Sequence, residues 1–273
     1  MRGRGFLLMA KYRYPTGVRP LLIEETARRR GIEARFVAVL ERAGFAEIVL
    51  PIIDYAEPYA SLPTGDGSRQ SYRFIDREGE LVSIRSDFTP MVARALAPSI
   101  TPVDLPLRVF YRGDVIRCDS SRLGTNREAF QIGAEIIGDD SVAADIEILR
   151  LATDLIREFD VRPTVVYTDF SLRDLPVLAA KRTINGLPST ATIDDIEPFA
   201  ASRLQTIAAE FPNFELQLDD FEGSSYYTGL RFRLYDGTSR TKLAQGGRYD
   251  NLYATFGAPA AAVGFTFTID DLD

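Results

Sequence analysis

Leu22, Ala27, Ile32, Phe36, Val39 and Leu40 recur at helical spacing, which predicts a helix over residues 21–44 that Gly44 ends. The period then changes. "AEIVLPIID" (46–54) reads as a strand with an edge or break at Pro51, and "YRFIDREGELVSIR" (72–85) as a hairpin turning at Arg77-Glu78-Gly79. A short helix is expected from Pro90 to Ala97. "LRVFYRGDVIR" (107–117) and "AFQIGAEIIG" (129–138) flank the polar stretch "CDSSRLGTNRE". They predict an antiparallel pair joined by a longer loop than a hairpin requires. Helical spacing returns at about 140–159 and near 194–211, and a small helical insertion within 160–215 is one reading of the ground between. The last third reads as strand, hairpin, strand and helix start through "SSYYTGLRFRLYDG", "KLAQGG", "RYDNLYATFG" and "AVGFTFTIDDL". Antiparallel strands with helices in separate runs predict an α+β fold, and the lack of repeats or low-complexity linkers makes residues 1–273 one domain.

The same alternation sorts residues by face. In "FQIGAEI", Phe130, Ile132, Ala134 and Ile136 share one face, and Gln131, Gly133 and Glu135 the other. In "YYTGLRFRLY", Tyr227, Gly229, Arg231 and Arg233 lie opposite Tyr226, Thr228, Leu230, Phe232 and Leu234. The sheet therefore has an apolar face and a second face of polar groups and glycines, where a ligand has room. The competing reading is a half-exposed, solvated polar face. Gln131 and Glu135 stand four residues apart, about 13 Å between alpha carbons at about 3.3 Å per residue. Their side chains can therefore reach opposite ends of an amino-acid-sized molecule. "AQGGRYDNL" is a second candidate: its paired glycines permit either a tight turn or close ligand approach, with Arg248 and Tyr249 just beyond. Arg117, beside the long loop, has the planar fork that suits a phosphate or carboxylate, or equally a surface salt bridge.

Composition narrows the chemistry. The chain has no histidine, which removes the usual general base at neutral pH and the commonest transition-metal ligand. No metal site is expected. The lone Cys118 cannot form an internal disulfide and fits a reducing cytoplasm; without a base beside it, it reads as a small residue at a strand end. A net charge of -7 gives no general attraction to nucleic acid. The patch Phe6–Ala10 is too short for a signal-peptide core, and no run reaches membrane-spanning length. A cytoplasmic protein with neither nucleic-acid nor membrane partner is expected.

Taken in order, "PTGVRPLLIEE", "GFAEIVLPIID", "IRSDFTP", "YRGDVIRCDSSRLGTNREAFQIGAEIIG", "SSYYTG", "QGGRYDNL" and "VGFTFTIDDL" resemble the catalytic core of class II aminoacyl-tRNA synthetases, the histidyl enzymes in particular. The resemblance covers most of the chain, and the long second motif with "GGRYD" makes it specific. It implies a homodimer interface at "GFAEIVLPIID" and an amino-acid pocket on the antiparallel sheet, comprising Asp87, Thr89, Arg117, Gln131, Glu135, Tyr227 and Tyr249. Asp87 and Gln131 would meet the ammonium group and Glu135 the imidazole. The family pattern has glutamate at position 87, so the charge here sits on a shorter arm.

Two departures bear on function. Where the synthetases carry an arginine that grips ATP, this chain has Asp271; where they carry the arginine of "RG", it has Glu222 before Gly223. Cations that would face phosphate and adenylate have become anions, so ATP is repelled. Arg117 and Asp119 remain and do not suffice for adenylation. The chain also stops at the third motif, so no anticodon-binding domain is expected. A core that keeps the amino-acid pocket but loses the nucleotide arginines resembles the regulatory subunits of ATP phosphoribosyltransferase. That family joins a short-form catalytic subunit in a hetero-oligomer, supports the first step of histidine biosynthesis and takes part in feedback by histidine. The resemblance implies no catalytic residue, no cofactor, and L-histidine as effector. The alternatives are a paralogue that adenylates an amino acid and transfers it to a non-tRNA acceptor, with Arg231 and Arg233 holding ATP, and a ligand-free scaffold.

Overall fold

The computed structural model describes residues 14–60, 62, 71–118, 126–172, 198–217 and 226–272. Helix α1 (Ile23–Arg42) is followed by strands β1 (Ala46–Glu47), β2 (Ile53–Tyr55), β3 (Arg73–Ile75) and β4 (Leu81–Ile84), then by helix α2 (Thr89–Leu96). Strands β5 (Leu107–Ile116) and β6 (Glu128–Ile137), helix α3 (Val142–Arg157), strand β7 (Pro163–Asp169) and helix α4 (Pro198–Glu210) come next. The last strands are β8 (Glu215–Leu216), β9 (Leu230–Asp236), β10 (Lys242–Arg248) and β11 (Ala262–Thr268).

These elements make the expected α+β fold. Eight strands form one sheet in the order β1-β5-β6-β11-β10-β9-β7-β8, antiparallel from β5 to β7, with parallel pairs at both ends. A separate sheet in the order β2-β4-β3 contains the expected hairpin, whose turn places Gly79 at φ +87°. Helices cover one face of the large sheet: Phe36 and Leu40 of α1, Ile148 and Leu155 of α3 and Leu204 of α4 share one apolar core with Phe130, Ile132, Ala134 and Ile136 of β6. On the opposite face α2 and an aromatic group including Phe88, Tyr111, Tyr227 and Tyr249 form a second core. Alternation along β6 follows from this two-sided burial.

The structure modifies three readings. In α1 only the C-terminal half is an apolar stripe. Leu22 and Ala27 are exposed, and the turns before Phe36 dock through charge, with Arg29 on Asp270 at 2.5 Å and Glu33 on Arg112 at 2.6 Å. The helix ends as expected: Gly44, at φ +83°, lets Phe45 N–H return to the Leu40 carbonyl at 3.0 Å. The range 160–215 opens with β7 and closes with β8, both strands of the large sheet, and holds α4. Its stretch 173–197, within which a helical insertion is expected, lies outside the described residues. Finally, the polar face is not solvated, since Gln131 and Glu135 are buried beneath the second core.

Candidate functional site

Register builds the floor of the site. Val109, Glu135, Gly264, Gly247, Arg231 and Thr168 lie in one row across β5, β6, β11, β10, β9 and β7. Beside it runs a row of Tyr111, Gly133, Thr266, Gln245, Arg233 and Val166. The glycines allow side chains to lie across the sheet. A β-carbon on Gly264 would stand 1.6 Å from Glu135 Oε2, and one on Gly247 would stand 2.7 Å from the Tyr227 ring. Neither position admits a side chain without displacing these groups.

Above this floor lies a polar cleft. Six of the seven residues expected to hold the ligand line it: Asp87, Thr89, Arg117, Gln131, Tyr227 and Tyr249. Glu135 lies at its base over Gly264 and is 1% exposed. Its Oε1 accepts hydrogen bonds from Thr89 Oγ1 at 3.1 Å and Tyr111 Oη at 3.4 Å. Oε2 has no partner among the described residues, and the same holds for the buried Gln131 Oε1 and Tyr249 Oη. Buried polar atoms are ordinarily paired, so three unpaired ones around one cleft suit a polar ligand.

The electrostatics reinforce that geometry. Burial pushes the Glu135 carboxyl well above the usual carboxylate range, the Thr89 hydrogen bond pulls it down, and the neighbouring Asp87 charge raises it further. Asp87 is also raised by burial, against the pull of the Arg117 charge and the backbone N–H groups of Thr89 and Phe88. The Tyr227 hydroxyl is pushed up to about 12 by burial, with the Arg231 charge acting the other way. A ligand cation arriving at Glu135 and Asp87 would favour their ionised forms.

Some site residues were not predicted. Tyr111, stacked on Phe88 at 4.4 Å and bonded to Thr266 Oγ1 at 2.6 Å, helps to orient Glu135. Its signal was a large aromatic directly opposite Gly133, visible only once the register of β5 and β6 is known. Gln245 also lines the cleft, as do Arg231, expected only as an ATP ligand in the alternative reading, and Tyr226, which precedes β9 and so escapes the strand alternation that set it opposite Tyr227. Arg248, by contrast, points to the other side of the sheet. It is 1% exposed and bonds Asp145 of α3 at 2.8 Å, together with the carbonyls of Asp139 and Ser141.

Past Arg117 and Gln131 the groove continues by Asn126 and Thr268 to Asp270. There the Asp270 carboxylate accepts from Phe130 N–H at 2.6 Å and from Arg29 at 2.5 Å, and the Arg29 guanidinium stands 5.2 Å from the Phe130 ring centroid. An internal ion pair therefore occupies this end. Asp119, Glu222 and Gly223 lie outside the described residues, as does the side chain of Asp271. Among the described residues no three acids or cysteines converge as a metal site. No helix among them is long and apolar enough to cross a membrane.

The comparisons agree with this architecture. A histidine–tRNA ligase of Methanocaldococcus jannaschii is 29% identical, over 97% of this chain and 78% of that protein. An ATP phosphoribosyltransferase regulatory subunit of Symbiobacterium thermophilum is also 29% identical, over 94% and 78% respectively. The fold matches a crystal structure from Bacillus halodurans described as an ATP phosphoribosyltransferase regulatory subunit/histidyl-tRNA synthetase, with a TM-score of 0.81 at 23% identity over 96% of this chain and 82% of that one. The family model for histidyl-tRNA synthetase matches residues 17–181 and 174–272. With this coverage, and with the antiparallel sheet and cleft in place, the chain belongs to the histidyl-tRNA synthetase family.

Proposed function

We propose that this chain is a non-catalytic, cytoplasmic regulatory subunit of ATP phosphoribosyltransferase and that it takes part in feedback on histidine biosynthesis by binding L-histidine. Several relatives bear the regulatory name, among them those of Symbiobacterium thermophilum, Halothermothrix orenii and Geobacter sulfurreducens, while others are named ligases. The observation that favours the regulatory reading is charge. In the sequence, Asp271 and Glu222 take the positions where the resemblance places arginines for ATP and carboxylate activation, and Asp270 holds a carboxylate on the Phe130 backbone at the end of the groove. At the amino-acid end Asp87 and Gln131 would meet the ammonium and Glu135, at the base of the cleft, the imidazole, with Thr89, Tyr227, Tyr249 and Arg117 among the lining residues.

The partner is a short-form catalytic subunit. Histidine would act by binding one state of the assembly better than another, a coupling of about 1–3 kcal/mol. Calorimetric titration of the purified chain tests the reading: L-histidine is expected to bind, and ATP with magnesium is not. Tight ATP binding would overturn it in favour of an amino-acid-activating enzyme. If neither ligand binds alone, adding the catalytic subunit is expected to restore histidine binding; failure there leaves only a scaffold.

Self-association is part of the same proposal. The small sheet and the segment before it expose Val49, Ile52, Ile53, Tyr55, Phe74, Ile75 and Leu81, and the first three lie in "GFAEIVLPIID", the stretch that the resemblance gives to the homodimer interface. Light scattering is expected to give twice the 30.4 kDa chain mass. A mass of one chain at micromolar concentration would contradict it.

A further inference from the structure

We propose that Arg231 of β9 receives the carboxylate of the amino acid held in the cleft, an assignment that rests on reading the cleft as an amino-acid site. Arg231 shares the floor row with Glu135, with only Gly264 and Gly247 between them. Three strand spacings at about 4.8 Å put their alpha carbons about 14 Å apart. Glu135 reaches inward over Gly264, the Tyr227 ring covers Gly247, and β11 and β10 contribute no side chain of their own at that row.

Arg231 is 5% exposed, lines the cleft, and holds its guanidinium 5.8 Å from the Tyr227 ring centroid and 5.6 Å from that of Phe170. Aromatic faces on a buried cation fix its direction and keep water away. A guanidinium offers five N–H donors in a fixed fork, so an existing protein contact leaves donors for a planar carboxylate. The other cations bordering the cleft are engaged differently. Arg117 lies close enough to Asp87 for its charge to oppose the rise in that carboxyl, and Lys242 stands at the exposed rim with its ammonium on Gln245 Oε1 at 3.0 Å. Arg231 thus supplies a third corner besides Glu135 and the Asp87–Gln131 pair. Three unlike corners distinguish an L-amino acid from its amine and from its mirror image.

The test is calorimetric titration of the full chain, as wild type and as Arg231→Gln, with L-histidine and with histamine, which lacks only the carboxylate. Arg231→Gln is expected to weaken L-histidine by about 10–100-fold and histamine by less than about threefold, retained histamine binding also showing that the variant folds. Equal losses for both ligands would mean that Arg231 merely positions Tyr227, and unchanged affinities would mean that it touches neither; each result overturns the assignment. Should Arg231→Gln fail to fold, Arg231→Lys decides: the assignment requires a loss confined to L-histidine, with histamine affinity kept. Wild type that binds neither compound, alone or with the catalytic subunit added, sinks the amino-acid reading of the cleft itself, a result separable from loss of the Arg231 assignment alone.

Discussion

Arg248→Met is expected to lower the stability of the chain by about 3–5 kcal/mol, seen as an earlier urea midpoint at unchanged slope. The reason is what it leaves behind. Asp145 is fully buried at the start of α3, where Arg248 meets its Oδ1 at 2.8 Å and Arg203 of α4 meets its Oδ2 at 2.6 Å. Arg248 also bonds Asp250 at 3.0 Å and two carbonyls just before α3. Removing it strands a buried carboxylate with one partly exposed arginine and frees those carbonyls. The double variant Arg248→Met/Asp145→Leu is expected to regain much of the loss, because no buried acid then lacks its partner. A loss below about 1 kcal/mol in the single variant would show that water reaches Asp145 and that the pair is not sealed. The same anchor bears on the cleft, since Gly247 and Tyr249 flank Arg248 in sequence and face the ligand side.

How much of this was legible depends on whether the information was local. Alternation within "FQIGAEI" separated Gln131, Gly133 and Glu135 from the four core residues of β6, and the structure keeps that division. The glycine at position 44 and the hairpin at 77–79 were equally local signals. Register was not legible. That Glu135, Gly264, Gly247 and Arg231 share one row is a property of four strands from distant segments, so nothing in "RFR" told Arg231 from Arg233. Burial of the polar face was hidden for the same reason, because the cover comes from α2 and from tyrosines far along the chain. β7 was missed because a short apolar run such as "TVVY" fits a buried strand or a helix equally well. In α1 the helical period was right, but period does not say which turns overhang the core, and there charge replaces apolar contact.

Glu135→Gln separates stability from ligand binding in opposite directions. Burial holds the Glu135 carboxyl well above its ordinary value, and the Asp87 charge adds to this. A group whose folded pKa exceeds its unfolded one contributes stability in full below the unfolded value, and that contribution is lost as pH rises through the folded value. Wild type without ligand should therefore weaken as pH climbs above the ordinary carboxylate range. Glutamine has the shape of the protonated acid and does not titrate. The unliganded variant is then expected to melt close to wild type at acid pH and progressively above it toward alkaline pH. Affinity for L-histidine moves the other way, falling by about 10–100-fold with the loss of a charge-assisted bond. Melting curves across pH, with and without histidine, read both effects. A melting difference constant with pH would show that Glu135 does not titrate in that range, and unchanged affinity would remove it from the ligand's contacts. If both effects appear, the unpaired oxygen over Gly264 is a site held at the expense of stability, as expected of a group kept for a ligand and not for the fold.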